Sequence, residues 1–223
     1  NINTLFNLQL LEKDWKGARQ TLQTKKKYEQ IPRNLFLRRE AILMFAEAKD
    51  KRAEGFTKEA LSLTLSAVRQ YPSFVAALSF LTDLELMSGN KKRAEKLLEK
   101  GWSLFPHPDI FKAYSVLVEY ETAEKRQKRF STLIKMKGSD TQNRILEVEL
   151  SIASKDFASA KKLLADLLKN DSDNYTLTLM AAVEKGLGAK NSLIRDYLTR
   201  AVYARKSFAW ICKNCAFQTG WVC

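Results

Sequence analysis

Ala60, Ala67 and Pro72 recur as Ala94, Gly101 and Pro106, each displaced by 34 residues. A period of that length restricts the chain to stacked supersecondary units, because one such unit cannot bury its apolar face alone. The recurring positions have steric roles. Two small residues let paired helices approach closely, and a proline, with no N–H to donate, ends the helix that carries them. The two units read Phe56-Thr57-Lys58-Glu59-Ala60-Leu61 and Lys91-Lys92-Arg93-Ala94-Glu95-Lys96, and each runs on to its closing proline.

Weaker copies lie on both sides. Lys13-Asp14-Trp15-Lys16-Gly17-Ala18 and Lys155-Asp156-Phe157-Ala158-Ser159-Ala160 each place Asp, an aromatic and small residues where a second helix opens. Apolar spacing at Leu163, Leu164, Leu167 and Leu168, and again at Leu78, Leu81, Leu84 and Leu86, marks helical faces. Gly89-Asn90 gives a turn with access to φ > 0, and Asp109 is placed to cap a helix starting near Ile110. The pattern predicts helices over 2–12, 15–29, 33–52, 56–71, 74–88, 91–104, 109–121, 123–137, 140–154, 157–169, 174–187 and 191–205. Thirty-four residues is the tetratricopeptide period, so the expected fold is all-α: a right-handed α-solenoid of about six tetratricopeptide-like hairpins. Its domains are 1–206, the repeats, and 207–223, the start of a cysteine module. Ala18 to Ala60 spans 42 residues, so the stretch from Leu35 to Gly55 holds a longer helix or loop. The fourth unit, Asp109 to Gly138, lacks the alanine signature and is basic, a candidate kink or contact face.

Composition supports helices over strands. Of 223 residues 45% are apolar, enough for a continuous core, while 8 Gly and 4 Pro argue against a β-rich or disordered chain. No apolar stretch approaches the roughly 18 to 20 residues that span a bilayer. The net charge of +13 is locally dense at Lys25-Lys26-Lys27, from Lys125 to Arg129 and from Arg195 to Lys206. Such a field attracts nucleic acid, acidic protein or anionic lipid, although helices also need solvated polar faces.

All three cysteines fall in the last 12 residues. Cys212 and Cys215 supply two thiolates from one knuckle and Cys223 can return to the same ion, which predicts structural zinc in the longer protein and a module cut through its middle. Trp210 and Trp221 flank these cysteines, whereas Trp15 and Trp102 belong to the repeat core. Thioredoxin-like redox use needs a βαβ setting that is missing here. No phosphate loop is present, since Gly186 and Gly188 read as a helix stop and turn. His107 is the sole histidine and, between Pro106 and Pro108, reads as a turn residue more than a base or haem ligand. The pairs Glu147 and Glu149, and Asp171 and Asp173, read as surface charges. An enzyme is therefore not expected, and binding along the first helices of each hairpin is.

The chain resembles the HemY family of bacterial haem-biosynthesis-associated proteins, the alphaproteobacterial branch in particular. The likeness rests on Phe105-Pro106-His107-Pro108-Asp109 ahead of a helix with Tyr114, on Leu179-Met180-Ala181, on Tyr197-Leu198-Thr199-Arg200-Ala201, and above all on Ala209-Trp210-Ile211-Cys212-Lys213-Asn214-Cys215. The resemblance implies an inner-membrane protein anchored upstream of Asn1, with the repeats in the cytoplasm. It further implies a part in a late step of protohaem synthesis, by gathering or regulating the enzymes. The flavin-dependent oxidase that shares the HemY name is excluded, because the chain has no glycine-rich strand–turn–helix. Two rival readings are an adaptor of lipopolysaccharide assembly, which also joins an anchor, repeats and a rubredoxin-like module, and a basic nucleic-acid-binding protein.

Overall fold

The computed structural model describes residues 1–137, 140–170, 172–206, 210, 211, 218 and 219. Among them run α1 (Ile2–Leu11), α2 (Trp15–Tyr28), α3 (Arg33–Ala53), α4 (Thr57–Gln70), α5 (Val75–Met87), α6 (Lys91–Leu104), α7 (Pro108–Val116), α8 (Ala123–Lys137), α9 (Thr141–Ala153), α10 (Phe157–Asn170), α11 (Asn174–Gly186) and α12 (Asn191–Tyr203). A short antiparallel pair, β1 (Trp210–Ile211) and β2 (Gln218–Thr219), follows with Trp210 opposite Thr219. The chain divides into two compact units, Asn1–Glu119 and Tyr120–Cys223. In the first unit each helix packs on the next and α5 also meets α7; in the second each helix again packs on the next and α9 also meets α11.

One turn geometry is used five times. After α1, α3, α5, α9 and α11 the chain passes through a single left-handed residue: Lys13 (φ 57°), Gly55 (φ 89°), Gly89 (φ 78°), Lys155 (φ 61°) and Gly188 (φ 75°). Each turn carries the same two backbone bonds. At Gly89 they are Gly89 N–H to Leu86 O at 2.9 Å and Asn90 N–H to Glu85 O at 2.8 Å; at Lys155 they are Lys155 N–H to Ile152 O at 3.0 Å and Asp156 N–H to Ser151 O at 2.8 Å. This is the Schellman arrangement, which satisfies carbonyls that a helix end leaves open and turns the chain sharply. Asp14 and Asp156 then cap the next helix, accepting from Gly17 N–H at 3.0 Å and Ser159 N–H at 3.1 Å. That is why Asp precedes the aromatic in both weaker units.

The small positions set helix separation. Ala18, Ala60, Ala94 and Ala160 each lie five residues beyond a left-handed turn residue, and all are fully buried. A Cβ added at Gly101 would lie 2.2 Å from Leu78 Cδ2, and one at Gly186 would lie 2.4 Å from the Phe157 ring. Gly186 thus serves close approach of α11 to α10, while Gly188 alone makes the turn. The prolines act through the residue before them: Tyr71 (φ −133°, ψ 82°) and Phe105 (φ −149°, ψ 89°) are pushed out of the helical region, which ends α4 and α6. Around these contacts the first unit buries Leu22, Phe36, Leu78, Leu81, Leu98 and Trp102, and the second buries Val148, Leu164, Leu167, Met180 and Val183.

The stretch expected to hold a longer helix or loop is helix, α3 running for 21 residues. Two other expectations change. Helix α7 stops at Val116 instead of 121. The period places the next turn residue at Ala123, which is instead the first residue of α8, so no left-handed turn is made there. Glu121 instead pairs with Arg129 of α8 through Nε at 3.0 Å and through Nη2, both side chains largely buried, while Thr122 Oγ1 accepts from Lys125 N–H at 3.3 Å. Lastly, the cap of α7 is His107 and not Asp109: His107 Nδ1 accepts from Asp109 N–H at 3.2 Å, and Pro108 takes the first helical position.

Two predictions follow from the turns and this cap. No atom lies within 4 Å of a Cβ built at Gly89, so Gly89→Ala carries only the left-handed backbone penalty and lowers stability by about 1 kcal/mol, whereas Lys155→Gly raises it by a similar amount, both read by urea titration of circular dichroism. Burial holds His107 below the ordinary histidine pKa, with Asp109 opposing and Lys112 adding to the shift. The unfolded chain therefore binds this proton more readily, so the His107 contribution is present above about pH 6.5 and is lost as pH falls through the folded value. His107→Asn keeps a capping acceptor but does not titrate, and the parent-minus-variant stability should fall between pH 7.5 and 5. A flat difference would show that His107 is not held neutral by the fold.

Candidate functional site

The face built by α3 and α5 in the first unit is the best-formed candidate surface. On α3, Ile42, Phe45, Lys49 and Arg52 follow i, i+3, i+7, i+10, a stripe distinct from the fully buried Ala41 and Ala48. Phe45 sits half-buried over a small-residue floor of Ala41, Ala67 and Ala77. Its ring meets Phe74 edge-on at 5.1 Å and Phe80 at 5.5 Å, and Tyr71 lies 6.2 Å from Phe74 with the Arg38 guanidinium 5.9 Å above Tyr71. Edge-to-face rings at these distances hold one another rigidly. From α5 come Ser79, whose buried hydroxyl has no hydrogen-bond partner, and Asp83, whose carboxyl is pushed above its ordinary pKa by desolvation. Arg52 Nη2 crosses to Met87 Sδ at 3.4 Å. The face thus combines an aromatic platform, the exposed Lys49 cation and a partly desolvated carboxyl, and it suits a segment with an apolar anchor and charged flanks.

A second concavity of about 500 Å³ lies where the α1–α2 turn meets the last turns of α3. It is lined by Lys13, Trp15, Lys16, Asp50, Lys51 and Glu54 among others. Its groups largely satisfy one another: the Trp15 indole N–H donates to Asp50 Oδ2 at 2.8 Å, Lys51 pairs with Glu54 at 2.7 Å, and Arg19 pairs with Glu47 at 2.8 Å. It therefore offers a ligand less than the α3–α5 face does. Trp15, expected in the repeat core, stands half-buried on this rim, while Trp102 is fully enclosed.

In the second unit the corresponding surface lies on α9 and α11. Tyr175 donates its hydroxyl to Glu149, and burial first, then that carboxylate, push the phenol well above its ordinary pKa. Burial also raises Glu147. The two carboxyls are two residues apart on one helix and point to different faces, and Glu149 is committed to Tyr175, so they make no acid–base pair. Asp173 caps α11 in a box with Thr176.

Each of three buried glutamates meets a cation from another helix. Glu85, fully buried, accepts from Asn90 Nδ2 at 2.9 Å and has Arg93 Nε 3.0 Å from its other oxygen, an ion pair without hydrogen-bond alignment. Glu184 pairs with Lys161 at 2.7 Å and Glu47 with Arg19 at 2.8 Å. Sequence reasoning missed them because a glutamate on a charged-rich helix carries no sign of its burial. The one available sign was position: Glu85 and Glu184 both stand four residues before a left-handed turn glycine.

The cysteines expected to hold metal, Cys212, Cys215 and Cys223, lie outside the described residues. Among the described residues no group of three or more His, Cys, Asp or Glu side chains could hold a metal ion, and no helix is long and apolar enough to cross a membrane. His107, 7% exposed and spent on the α7 cap, does not converge with another candidate ligand apart from Asp109.

No protein-family model matches the chain, and no curated protein matches it. Among solved structures it is similar to a tetratricopeptide repeat protein from Parabacteroides merdae, with 13% identity over 92% of this chain and 79% of that one, at a TM-score of 0.46.

Proposed function

We propose that the chain is a non-catalytic scaffold whose odd-numbered helices receive segments of partner proteins. The observation that carries this reading is the α3–α5 face, where the Phe45, Phe74 and Phe80 rings form a rigid platform and the same two helices carry the exposed Lys49 cation and the partly desolvated Asp83 carboxyl. Such a face suits a segment with an apolar anchor and charged flanks. The finer proposal is a HemY-like role: an inner-membrane protein, anchored outside this sequence with the repeats in the cytoplasm, that organises enzymes of late protohaem synthesis. Its support is the residue pattern of the last repeat and of Ala209 to Cys215. Cys212, Cys215 and Cys223 are proposed as ligands of a structural zinc completed by further chain.

Crosslinking of the full-length protein in cells, followed by mass spectrometry, tests the partner proposal. Terminal haem-pathway enzymes should be captured through Lys49, and Phe45→Ala with Arg52→Glu should cut the yield about tenfold or more, as loss of an aromatic and a cationic anchor does. Capture of lipopolysaccharide-assembly proteins instead, or a yield indifferent to both substitutions, contradicts it. For the metal, the purified full-length protein should hold about one zinc per chain and lose it in Cys212→Ser/Cys215→Ser. A parent protein without zinc ends that part.

A further inference from the structure

Helix α1 is apolar on two opposite sides. Toward the rest of the first unit, Phe6 and Leu10 pack against the cluster of Ala18, Leu22, Phe36 and Leu43, Gln9 accepts from Thr21 Oγ1 at 2.8 Å, and the Lys25 ammonium stands 5.5 Å from the centre of the Phe6 ring. On the other side Leu5, Leu8 and Leu11 follow at i, i+3, i+6 and remain 50%, 54% and 78% exposed. Helix α1 buries none of its ten residues, whereas α3 and α5 of the same unit bury five and seven. A helix with apolar residues all round is built to be covered all round, and a run of leucines along one stripe is not the scatter of single apolar side chains that any surface carries.

The same helix is neutral. Among the described helices α1 alone has no Asp, Glu, Lys or Arg. Its polar side chains are Asn3, Thr4, Asn7 and Gln9, each able both to donate and to accept. In a chain of net charge +13 this is what a contact between copies needs. Such copies repel one another, and a two-fold contact presses one patch onto the same patch, so lysine or glutamate would meet like charge while leucines and neutral amides meet groups they can pair with. The exposed Leu198 and Val202 of α12 lack this property, since exposed Arg195 and Arg200 stand among them. A bilayer is a poorer occupant, because helices that lie at a headgroup boundary carry lysine or arginine on their polar face and α1 carries neither.

We propose that the stripe of Leu5, Leu8 and Leu11 is a docking face for a second copy of this chain, the two α1 helices running antiparallel with Leu8 nearest the two-fold axis. The residues that follow the helix, Glu12 and Lys13, set this direction. In a parallel, in-register pair each would face its own copy. Antiparallel about Leu8, the two Glu12 residues lie about 12 Å apart along the axis, beyond the screening length at physiological salt. Three leucines from each copy make a small contact, so the dissociation constant is expected at about 10 to 100 µM. The inference does not depend on partner binding at the α3–α5 face.

Sedimentation velocity of the chain under reducing conditions, from about 5 to about 300 µM, tests this. The mean mass should rise from monomer toward dimer across that range. Leu8→Lys and Leu11→Lys, each shown folded by circular dichroism, should weaken association about tenfold or more, whereas Val202→Lys, the same charge placed on an exposed apolar residue of α12, should weaken it by less than about threefold. Direction is read in a Cys212→Ser/Cys215→Ser/Cys223→Ser background. Mild oxidation should crosslink Leu8→Cys into dimers, while the two thiols of Leu11→Cys lie about 9 Å apart along the axis, too far for a disulfide. A chain that stays monomeric throughout, or that is drawn instead to phosphatidylcholine vesicles in a manner Leu8→Lys abolishes, would overturn the proposal. So would dimers that both α1 substitutions leave intact, an equal loss in Val202→Lys, or crosslinking through Leu11→Cys as readily as through Leu8→Cys.

Discussion

Close approach of paired helices is the constraint on which the rest of this chain depends. A helix pair separated by large side chains at every contact would leave the αL turns too tight to join them. Buried Ala18, Ala60, Ala94 and Ala160, with Gly101 against Leu78, permit the short separation, and the Schellman turns require it. The two devices keep a fixed offset of five residues, so each hairpin inherits the same geometry from its own local sequence. Proline at the opposite end removes the option of continuing the helix. No left-handed turn is made at Ala123, and just before it Glu121 pairs with Arg129 of α8.

That economy divides the labour within a hairpin. The odd helices α3, α5, α9 and α11 bury five to seven residues each, and on α3 and α5 the remaining faces carry rings, a cation and a partly desolvated carboxyl suited to partner segments. Even helices are more open and carry almost all of the charge excess. Buried glutamates at 47, 85 and 184 draw cations inward from neighbouring helices, which fixes the rotation of one helix against the next but offers little net stabilisation by itself. Removing one partner would leave a buried charge uncompensated, so the pairs act as constraints on register.

Much of the fold was legible because its determinants are local. Period, small residues and prolines located the helices to within a few residues, apart from the C-terminal end of α7. There the sequence Val116 to Thr122 looks helical residue by residue, and only the absence of glycine at the period's turn position, Ala123, betrays the break. Two of the five left-handed turns are made by Lys13 and Lys155, which do not announce φ > 0 as glycine does. His107 was read as a turn residue; that its ring nitrogen caps α7 depends on the tilt set by Pro106 and Pro108. The candidate face was less legible, because Phe45, Phe74 and Phe80 come from α3, the α4–α5 loop and α5, and only packing brings them together.

Hydrogen exchange followed residue by residue tests the central claim, that repeated close-packed hairpins joined by left-handed turns make this fold. The account predicts protected helices interrupted at the turns near residues 13, 55, 89, 155 and 188, with a broader unprotected stretch over 117–122. Protection running unbroken through 117–122, or even-numbered helices exchanging as freely as the turns, would contradict it.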